Sequence, residues 1–358
     1  MANFSVPVIQ INQIFGIEGA DQIEVALVGD FRSVVRKGQF SVGDLGVYVP
    51  EGAILPDELL EKIGLLGRLS GSGKNRVKAV RLRGVLSQGL LLSTDLLPPD
   101  MRTLETDCAQ VLGITKWTPE IPQALRLAGN VCAFEDSRLK LHYDLENIKK
   151  FPDVFTEGET VVMTEKLHGT QLCCVVTHDR YYVTSKGLMG RGTYLKIDDP
   201  KNADNFYIGI VHSHEIPVKV GQFFKLTPQN DQVVHVFGEG LGVQDLKYGV
   251  NTDRSVGNFR VFDVAVNGSF LDDRKLDIFC EVTGLRRVPT LYRGPFSKDI
   301  LKAVTSGKEE LTGQGLHIRE GTVVKPTFER THPKLGRVIL KSVSEDYLLR
   351  KGETTEAD

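Results

Sequence analysis

Between residues 161 and 341, six short runs of apolar residues each carry a polar or charged side chain. Short apolar runs rich in valine, isoleucine and phenylalanine favour β-strands. The pattern therefore predicts a strand-rich domain in which strands deliver the functional groups. The six runs are Val161–Thr170, Tyr182–Gly187, Val233–Gly240, Phe259–Asp263, Arg319–Lys325 and Gly336–Lys341.

Lys166 has the most informative surroundings of these groups. It follows the apolar residues Val161, Val162 and Met163, and a glycine turn at Gly169 comes after it. A lysine ordinarily has a pKa of about 10.4, so a nucleophilic lysine needs nearby cations, a metal or partial desolvation. Taken alone, the run also fits an exposed lysine at a strand end. The partners further along the chain favour the nucleophile.

Those partners form a mixture that nucleotide chemistry requires. Carboxylates can hold Mg²⁺ or ribose hydroxyls, lysines neutralise phosphate charge, and an aromatic ring stacks on a base. A single glutamate or lysine at a strand end is usually only solvated, so the evidence is the ensemble. Its members are Glu239, Glu320, Lys186, Lys325, Lys341 and Phe262 with Asp263 beside it.

The composition limits the class of protein. A content of 41% hydrophobic and 25% charged residues predicts a soluble globular protein. No apolar stretch approaches the ~20 residues that span a bilayer, and the first residues lack the character of a secretory signal. Five scattered cysteines without a Cys-x-x-Cys pair indicate reduced thiols and argue against structural zinc. We therefore expect a cytoplasmic protein without a membrane partner.

The first ~115 residues predict a small β-sandwich or barrel. Three segments within it, Gly19–Val25, Val47–Pro56 and Lys78–Leu91, resemble the OB-fold tRNA-binding domains attached to some aminoacyl-tRNA synthetases. OB folds bind nucleic acid on one open face. The predicted strands are Val8–Phe15, Ile23–Val28, Ser33–Arg36, Leu45–Val49, Val77–Leu82 and Gly89–Ser93.

A run of alternating cations lies in this region. A net charge of −2 leaves no uniformly basic surface, so nucleic-acid binding requires local patches. The run fits phosphate contacts and a solvated strand face equally well. Its members are Lys74, Arg76, Lys78, Arg81 and Arg83.

The remaining chain predicts a linker, a larger domain and a tail. The linker, 116–150, holds Trp117 and a helix-like stretch at Leu145–Lys150. The larger domain is predicted over 151–350. The polar segment 351–358 is predicted to be frayed.

In their order along the chain, the six runs resemble the covalent nucleotidyltransferase superfamily of ATP-dependent ligases and capping enzymes. The segment Glu165–Thr170 resembles the RNA ligase branch, because DNA ligases and cap guanylyltransferases usually carry aspartate where His168 stands. The strings Gly238–Gly249 and His317–Pro326 resemble the Deinococcus-type RNA ligases. That resemblance implies an α+β fold with an N-terminal OB-fold barrel, followed by a nucleotidyltransferase domain rich in antiparallel sheet.

The resemblance implies a role for each matching residue. Lys166 would receive AMP from ATP, and His168 would assist later steps. Glu239 would bind ribose, and Glu320 would engage the metal. Lys186 would contact phosphate or ribose, with Arg191 as a rival, and Phe262 would stack on adenine with Asp263 beside it. Lys325 and Lys341 would hold the α-phosphate, and Glu165, Leu167 and Gly169 would line the nucleotide site.

One position departs from the superfamily pattern. Its last motif commonly carries two lysines two positions apart, whereas Lys341 has Ile339 and Val343 at those distances. Either Lys341 acts alone, or Arg337 or a lysine from elsewhere compensates.

The resemblance predicts an ATP-dependent RNA ligase that acts through a lysyl-AMP intermediate with Mg²⁺ or Mn²⁺. We expect RNA as the partner, including a nicked duplex or an RNA/DNA hybrid, a role in RNA repair, and a monomer. A cap guanylyltransferase is the alternative within the superfamily. A non-catalytic RNA-binding protein that kept the fold is the alternative from another class.

Overall fold

The computed structural model describes residues 4–117, 131–242, 246, 248–249 and 258–350. Its contacts divide the chain into two compact units. The small unit takes the described residues up to 117 with 149–152 and 345–350, and the large unit takes 131–148 and 153–344. The predicted boundaries at 115, 150 and 350 stay predictions, and the predicted tail, 351–358, lies outside the described residues. No helix in the described part of the chain is long and apolar enough to cross a membrane.

Short antiparallel strands make up most of the small unit. They are β1 (Val8–Gln10), β2 (Gln13–Gly16), β3 (Ile23–Val28), β4 (Phe31–Arg36), β5 (Leu45–Val49), β6 (Ala53–Ile54), β7 (Val80–Leu82), β8 (Val85–Ser87), β9 (Leu90–Ser93) and β10 (Thr115–Lys116). They form two three-stranded sheets, β1-β5-β9 and β2-β3-β4, and two pairs, β6-β10 and β7-β8. The helices of this unit are α1 (Asp57–Lys62) and, at the other end of the chain, Glu345–Leu348.

Alternation of apolar and polar residues explains how these strands pack. In β4, Phe31, Ser33 and Val35 are buried, whereas Arg32 and Arg36 are exposed. Successive side chains of a strand point to opposite faces, so one face of β4 joins the core and the other meets water.

Three predicted elements differ from the structure. The single strand predicted at Val8–Phe15 is two strands, and the strand predicted from Val77 begins only at Val80. The prediction of a helix-like stretch at Leu145–Lys150 is wrong. Glu146–Asn147 forms a short strand that pairs in parallel with Leu340 and Lys341, and a 3₁₀ turn follows. Pairing with a distant strand overrode the local helical pattern.

The large unit contains a seven-stranded and a five-stranded sheet. The strands are β11 (Val131–Ala133), β12 (Glu146–Asn147), β13 (Thr160–Lys166), β14 (Thr170–Val176), β15 (Tyr181–Ser185), β16 (Thr193–Leu195), β17 (Val234–Leu241), β18 (Asn258–Val266), β19 (Ser269–Phe270), β20 (Thr290–Pro295), β21 (Gly321–Pro326), β22 (Thr331–His332), β23 (Gly336–Arg337) and β24 (Leu340–Val343). The sheet orders are β11-β16-β15-β14-β17-β18-β19 and β12-β24-β21-β13-β20, and β22 pairs with β23.

Helices pack against both sheets. They are α2 (Lys186–Gly190), α3 (Phe206–Ser213), α4 (Ile216–Phe224), α5 (Asp273–Thr283) and α6 (Lys298–Thr305). Leu172 and Cys174 of β14 pack with α3, α4 and α5, whereas Cys173 and Val175 pack with Ile339, which precedes β24. The same strand therefore supplies two cores, one beneath the helices and one towards the five-stranded sheet. The α+β arrangement agrees with the prediction.

Candidate active site

A close approach between two strands fixes the turn after Lys166. β13 ends at Lys166, and β14 begins after a three-residue connection that ends in Gly169. A Cβ atom on Gly169 would lie 2.5 Å from the carbonyl oxygen of Gly240 and 2.7 Å from Cγ of Glu239. No side chain fits in that space. Glycine therefore allows the turn to pack directly against Glu239.

Strand register places three predicted site lysines on one face of the five-stranded sheet. Alternate residues of β21, Gly321, Val323 and Lys325, share a face. Lys166 of β13 lies opposite Gly321, and Lys341 of β24 lies opposite Val323. Directly opposed residues of neighbouring strands point the same way. Lys166, Lys325 and Lys341 therefore project from the same face.

Lys166 contacts a buried carboxylate at the start of β21. Its Nζ donates to Oε1 of Glu320, and Oε2 of Glu320 lies 3.4 Å from Nδ1 of His168. Glu320 is 1% exposed and His168 is 2% exposed, whereas the Lys166 side chain is 21% exposed. Burial by itself raises the pKa of Glu320, but Lys166 and His168 outweigh it and lower that pKa below its usual value. Glu320 is therefore an anion at neutral pH.

Glu239 has the opposite tendency. Burial and, more weakly, the negative charge of Glu320 raise the pKa of Glu239 to about 8, although Lys166 and the N–H of Gly169 act against the increase. Two nearby carboxyl groups with pKa values pushed apart are typical of catalytic and ligand-binding sites. A protonated Glu239 can donate one hydrogen bond and accept others, as the binding of sugar hydroxyls requires.

Lys186 lies close to this site, at the start of α2. Its Nζ is 3.3 Å from Oδ1 of Asp144, and its charge acts on Glu239. The rival residue, Arg191, is exposed at the end of the same helix. The structure brings Lys186 towards Glu239.

A β-bulge aims Phe262 and Asp263 together. In the pairing of β17 with β18, Gly238 lies opposite Val261 and Phe237 lies opposite Asp263, so Phe262 is the extra residue. Such a bulge re-aims the side chains of its strand. Both residues contact Tyr143. The centres of the Phe262 and Tyr143 rings lie 5.0 Å apart, and the Tyr143 hydroxyl donates to Oδ2 of Asp263 at 3.1 Å.

Asp263 is the centre of a buried charge network with four charged members. Lys325 Nζ lies 3.1 Å from Asp263 Oδ1, and Arg337 Nη2 lies 2.7 Å from Asp263 Oδ2. Glu329 accepts from both cations, at 3.2 Å from Lys325 and at 2.6 and 2.7 Å from Arg337. Lys325 is thus clamped between two carboxylates. The network ties the seven-stranded sheet to the five-stranded sheet.

The same network bears on the missing second lysine. Arg337 is committed to Asp263 and Glu329, and its guanidinium lies 3.6 Å from the centre of the Phe270 ring. Val343 stands two positions after Lys341, one of the two places where a second lysine could lie. It lies opposite Gly321, in the same row across the sheet as Lys166. An apolar side chain therefore stands where a second lysine would neighbour Lys166.

Glu165 and Leu167 lie away from the Lys166 amine. Because Glu165 alternates with Lys166 along β13, it points to the opposite face, where its Oε2 accepts from the N–H of Glu310 at 2.9 Å. Burial raises the pKa of Glu165 to about 7. Leu167 packs in a buried cluster with Leu241 and partly buried Phe262. The structure does not bring Glu165 together with the other predicted site residues.

Tyr248 is a site residue that the sequence did not reveal. It is 3% exposed, and its hydroxyl accepts a hydrogen bond from the backbone N–H of His168 at 2.8 Å. Its ring lies 4.4 Å from that of His317. Tyr248 stands 80 positions after His168, and no local pattern predicts a contact over that separation. Parts of the string that contains it, 243–245 and 247, lie outside the described residues.

The alternating cations of the small unit differ in exposure, and Lys78 is half-buried. Arg76 is 6% exposed, and its guanidinium carbon lies 3.3 Å from the centre of the Trp117 ring. The two residues form a cation–π pair with a structural role. Lys74, Arg81 and Arg83 are exposed. Arg83 and Gly84 form a two-residue turn with positive φ values of 47° and 82°, so the hairpin β7–β8 presents its two arginines to solvent.

Comparison with known proteins settles the family. Residues 159–343, more than half of the chain, match the sequence profile of the RNA ligase family. The chain belongs to the RNA ligase family. Residues 5–94 match an OB-fold domain, so the predicted order of an OB domain before a ligase domain is confirmed.

Solved structures of a Naegleria gruberi RNA ligase share this fold. A lysine-to-alanine mutant with ATP and Mn has 21% sequence identity and a TM-score of 0.77, and the match covers 96% of this chain and 98% of that chain. The structure with pyrophosphate has 22% identity and a TM-score of 0.76, over 97% and 98% of the two chains. A mutant with AMP and Mn has 22% identity and a TM-score of 0.75, over 96% and 97%.

Proposed function

We propose that the protein is an ATP-dependent ligase that joins an RNA 3′-hydroxyl to a 5′-phosphate through an AMP adduct on Lys166. The observation that carries the proposal is the contact of Lys166 with Glu320 and, through it, His168. Lys166 projects from the face that also bears Lys325 and Lys341. Membership of the RNA ligase family supports the same reaction.

The reaction proceeds in three steps. First, neutral Lys166 Nζ attacks the α-phosphorus of ATP and loses a proton, so a P–N bond forms and the bond to pyrophosphate breaks. Second, an oxygen of the RNA 5′-phosphate attacks the same phosphorus, and the P–N bond breaks as Lys166 regains a proton. Third, the RNA 3′-hydroxyl loses its proton as its oxygen attacks the phosphorus of the 5′-phosphate, so a phosphodiester bond forms and the bond to AMP breaks. Each step therefore forms one bond to phosphorus and breaks another.

The proposed residue roles follow their positions. Glu239, with its raised pKa, binds ribose hydroxyls. Partly buried Phe262 stacks on adenine, and Gly169 lets the nucleotide-binding turn pack on Glu239. Lys341 and Lys186 neutralise phosphate charge. Lys325, held by Asp263 and Glu329, supplies a fixed positive charge on the same face as Lys166.

The donor set fits Mg²⁺ or Mn²⁺ held jointly with the substrate. The described residues contain no group of three or more acidic, histidine or cysteine side chains that could hold an ion alone. Mg²⁺ is commonly bound by one or two carboxylates together with substrate phosphates. Glu320, whose Oε2 accepts no hydrogen bond from the described residues, would hold it. When bound, the ion would offset phosphate charge and compete with the ammonium form of Lys166 for Glu320.

The proposed substrate is a broken RNA strand, in a nicked duplex or an RNA/DNA hybrid, sealed by a monomer in RNA repair. The exposed arginines of the β7–β8 hairpin, Arg81 and Arg83, contact its phosphates. The solved Naegleria structures with ATP, AMP, pyrophosphate and Mn support the nucleotide and the metal.

A labelling and sealing experiment tests this proposal. We expect [α-³²P]ATP, and not [α-³²P]GTP, to label the protein. We expect sealing of nicked duplexes whose 3′-hydroxyl strand is RNA, over a panel with RNA or DNA at each position. Labelling by GTP alone would indicate a cap guanylyltransferase, and no labelling by either nucleotide would indicate a binding protein.

A charge substitution tests the small unit. We expect the double variant Arg81→Gln, Arg83→Gln to weaken sealing roughly tenfold at ~0.15 M salt and to leave self-adenylylation unchanged. The matched control is Arg180→Gln, an exposed arginine of the large unit. Equal losses of sealing and self-adenylylation in the hairpin variant would contradict the RNA contact.

A further inference from the structure

A buried arginine lies beside Glu239 in the seven-stranded sheet. Arg260 of β18 is 7% exposed and lies opposite Glu239 of β17, so the two side chains share a face. Within the described residues its one hydrogen bond runs from Nη1 to the carbonyl oxygen of Phe259, at 2.9 Å. That oxygen is neutral and belongs to the adjacent residue.

Other buried cations of the large unit differ from Arg260. Arg287 pairs with Asp273 and Asp277, and Lys325 pairs with Asp263. No carboxylate among the described residues reaches the Arg260 guanidinium within ion-pair distance. A guanidinium keeps its proton in proteins, so it cannot escape burial by becoming neutral. An unpaired buried charge is costly unless a counter-charge arrives.

A second cation, Arg286, acts on Arg260. The N–H of Val261 donates to the carbonyl of Arg286 at 2.8 Å, and the N–H of Val288 donates to the carbonyl of Val261 at 2.9 Å. These bonds hold the segment 286–288 alongside β18. Burial and the positive charge of Arg286 lower the pKa of Arg260. Arg286 is exposed.

We propose that Arg260, with Arg286 beside it, forms a binding site for a phosphate group of a substrate. A phosphate accepts two parallel hydrogen bonds from one guanidinium and supplies a counter-charge that no carboxylate of the described residues provides. The inference rests on the proposed ligase function. It adds a phosphate contact on the β18 side, apart from the lysines of the five-stranded sheet. The phosphate comes either from the ATP triphosphate or from the RNA strand.

Three variants separate phosphate binding from packing. Arg260→Met keeps an unbranched side chain and removes the charge, Arg286→Gln neutralises the second cation, and Arg180→Gln is the exposed control. For each we would measure the KM for ATP in self-adenylylation. We would also measure the Kd for nicked RNA that carries a 5′-phosphate or a 5′-hydroxyl.

The expected result is a rise of roughly tenfold to hundredfold in one of these constants for Arg260→Met, a smaller rise for Arg286→Gln and none for the control. A higher KM for ATP identifies the triphosphate as the ligand. A higher Kd for 5′-phosphorylated RNA only identifies the 5′-phosphate, and a higher Kd for both RNAs identifies the strand backbone. Both constants within twofold of wild type would overturn the proposal.

Thermal unfolding separates this inference from the proposed function, because it needs no turnover. In phosphate-free buffer, we expect Arg260→Met to unfold at or above the Tm of the wild type, since it removes a buried charge that has no ion-pair partner among the described residues. Added inorganic pyrophosphate should raise the Tm of the wild type more than that of Arg260→Met. A lowered Tm in phosphate-free buffer together with an undiminished pyrophosphate shift would assign Arg260 to packing alone.

Discussion

Two clusters of charge in the large unit contrast sharply. Around Lys166, the amine is partly exposed, and one oxygen of Glu320 accepts no hydrogen bond from the described residues. Around Asp263, which is fully buried, both carboxylate oxygens are bonded: Oδ1 to Lys325, and Oδ2 to Arg337 and the Tyr143 hydroxyl. An oxygen of Glu320 in the first cluster can take a further partner, whereas both oxygens of Asp263 in the second already have partners.

The contrast distinguishes residues that take part in the proposed reaction from residues that hold the fold in place. An incomplete cluster at the end of a strand can exchange its internal contacts for a nucleotide and a metal. A buried network centred on a fully bonded carboxylate holds its members in one geometry, and here it fixes the cation Lys325 and Asp263, which is next to the adenine candidate Phe262. Changes in the Lys166 cluster should therefore alter reaction rates, and changes in the Asp263 network should first alter stability.

Asp263→Asn should have the largest effect on stability. The substitution leaves Lys325 and Arg337 with one carboxylate, Glu329, and breaking a buried ion pair commonly costs about 3–5 kcal/mol. Urea unfolding measures the loss. Glu329→Gln is the comparison, and we expect a smaller loss because its side chain is 18% exposed. Equal stability of Asp263→Asn and wild type would show that the network is not the scaffold.

Glu320→Ala and Lys341→Ala should lose self-adenylylation. Removing one preorganised charge at a reacting centre costs about 3–4 kcal/mol of barrier, or roughly 10²–10³ in rate. Single-turnover labelling with ATP measures this rate. The control is Glu310→Ala, whose side chain is 58% exposed. A near-normal rate in either site variant would remove that residue from the first step.

His168→Ala should block the later steps by about a hundredfold while retaining part of self-adenylylation. An imidazole can donate or accept a proton near neutral pH, and Nδ1 of His168 lies 3.4 Å from Oε2 of Glu320, the partner of Lys166. Pre-adenylylated RNA isolates the last step. Tyr248→Phe, which removes the acceptor of the His168 N–H, should lose about 1–3 kcal/mol of stability. Wild-type transfer and sealing by His168→Ala would leave the histidine a structural role.

Glu239→Gln should have the smallest effect, and it should depend on pH. The pKa of Glu239 is raised from 4.5 to about 8. At a pH between these two values, Glu239 keeps its proton in the folded state and loses it in the unfolded state. The contribution of Glu239 to the free energy of unfolding is therefore fully present below pH ~4.5 and is lost as the pH rises towards 8. Relative to wild type, Glu239→Gln should gain on the order of 1–2 kcal/mol between pH 5 and 8 in urea unfolding. A pH-independent difference would contradict the raised pKa.

The sequence predicted the parts of the site that depend on local pattern. The β13 strand, the turn at Gly169 and the strand β21 that follows Glu320 are each contained in one short run. Alternation along those runs, together with their register, then puts Lys166 and Lys325 on one face. The fold order was also predictable, because it rested on motifs that span most of the chain.

Long-range pairing explains what the sequence did not predict. The segment Glu146–Asn147 became a strand because Leu340 and Lys341 lie beside it. Tyr248 supports His168 from 80 positions away, and the position of Arg260 follows from register across β17 and β18. Periodicity within a segment carries no information about such partners.

The most direct test of the account is to locate the AMP adduct. After incubation with ATP and Mg²⁺, intact-mass and peptide mass spectrometry should find one AMP on Lys166 of the wild type. Lys166→Ala should keep the wild-type Tm within a few degrees and carry no AMP. An adduct on another lysine, such as Lys325 or Lys341, or an undiminished adduct in Lys166→Ala, would contradict the account.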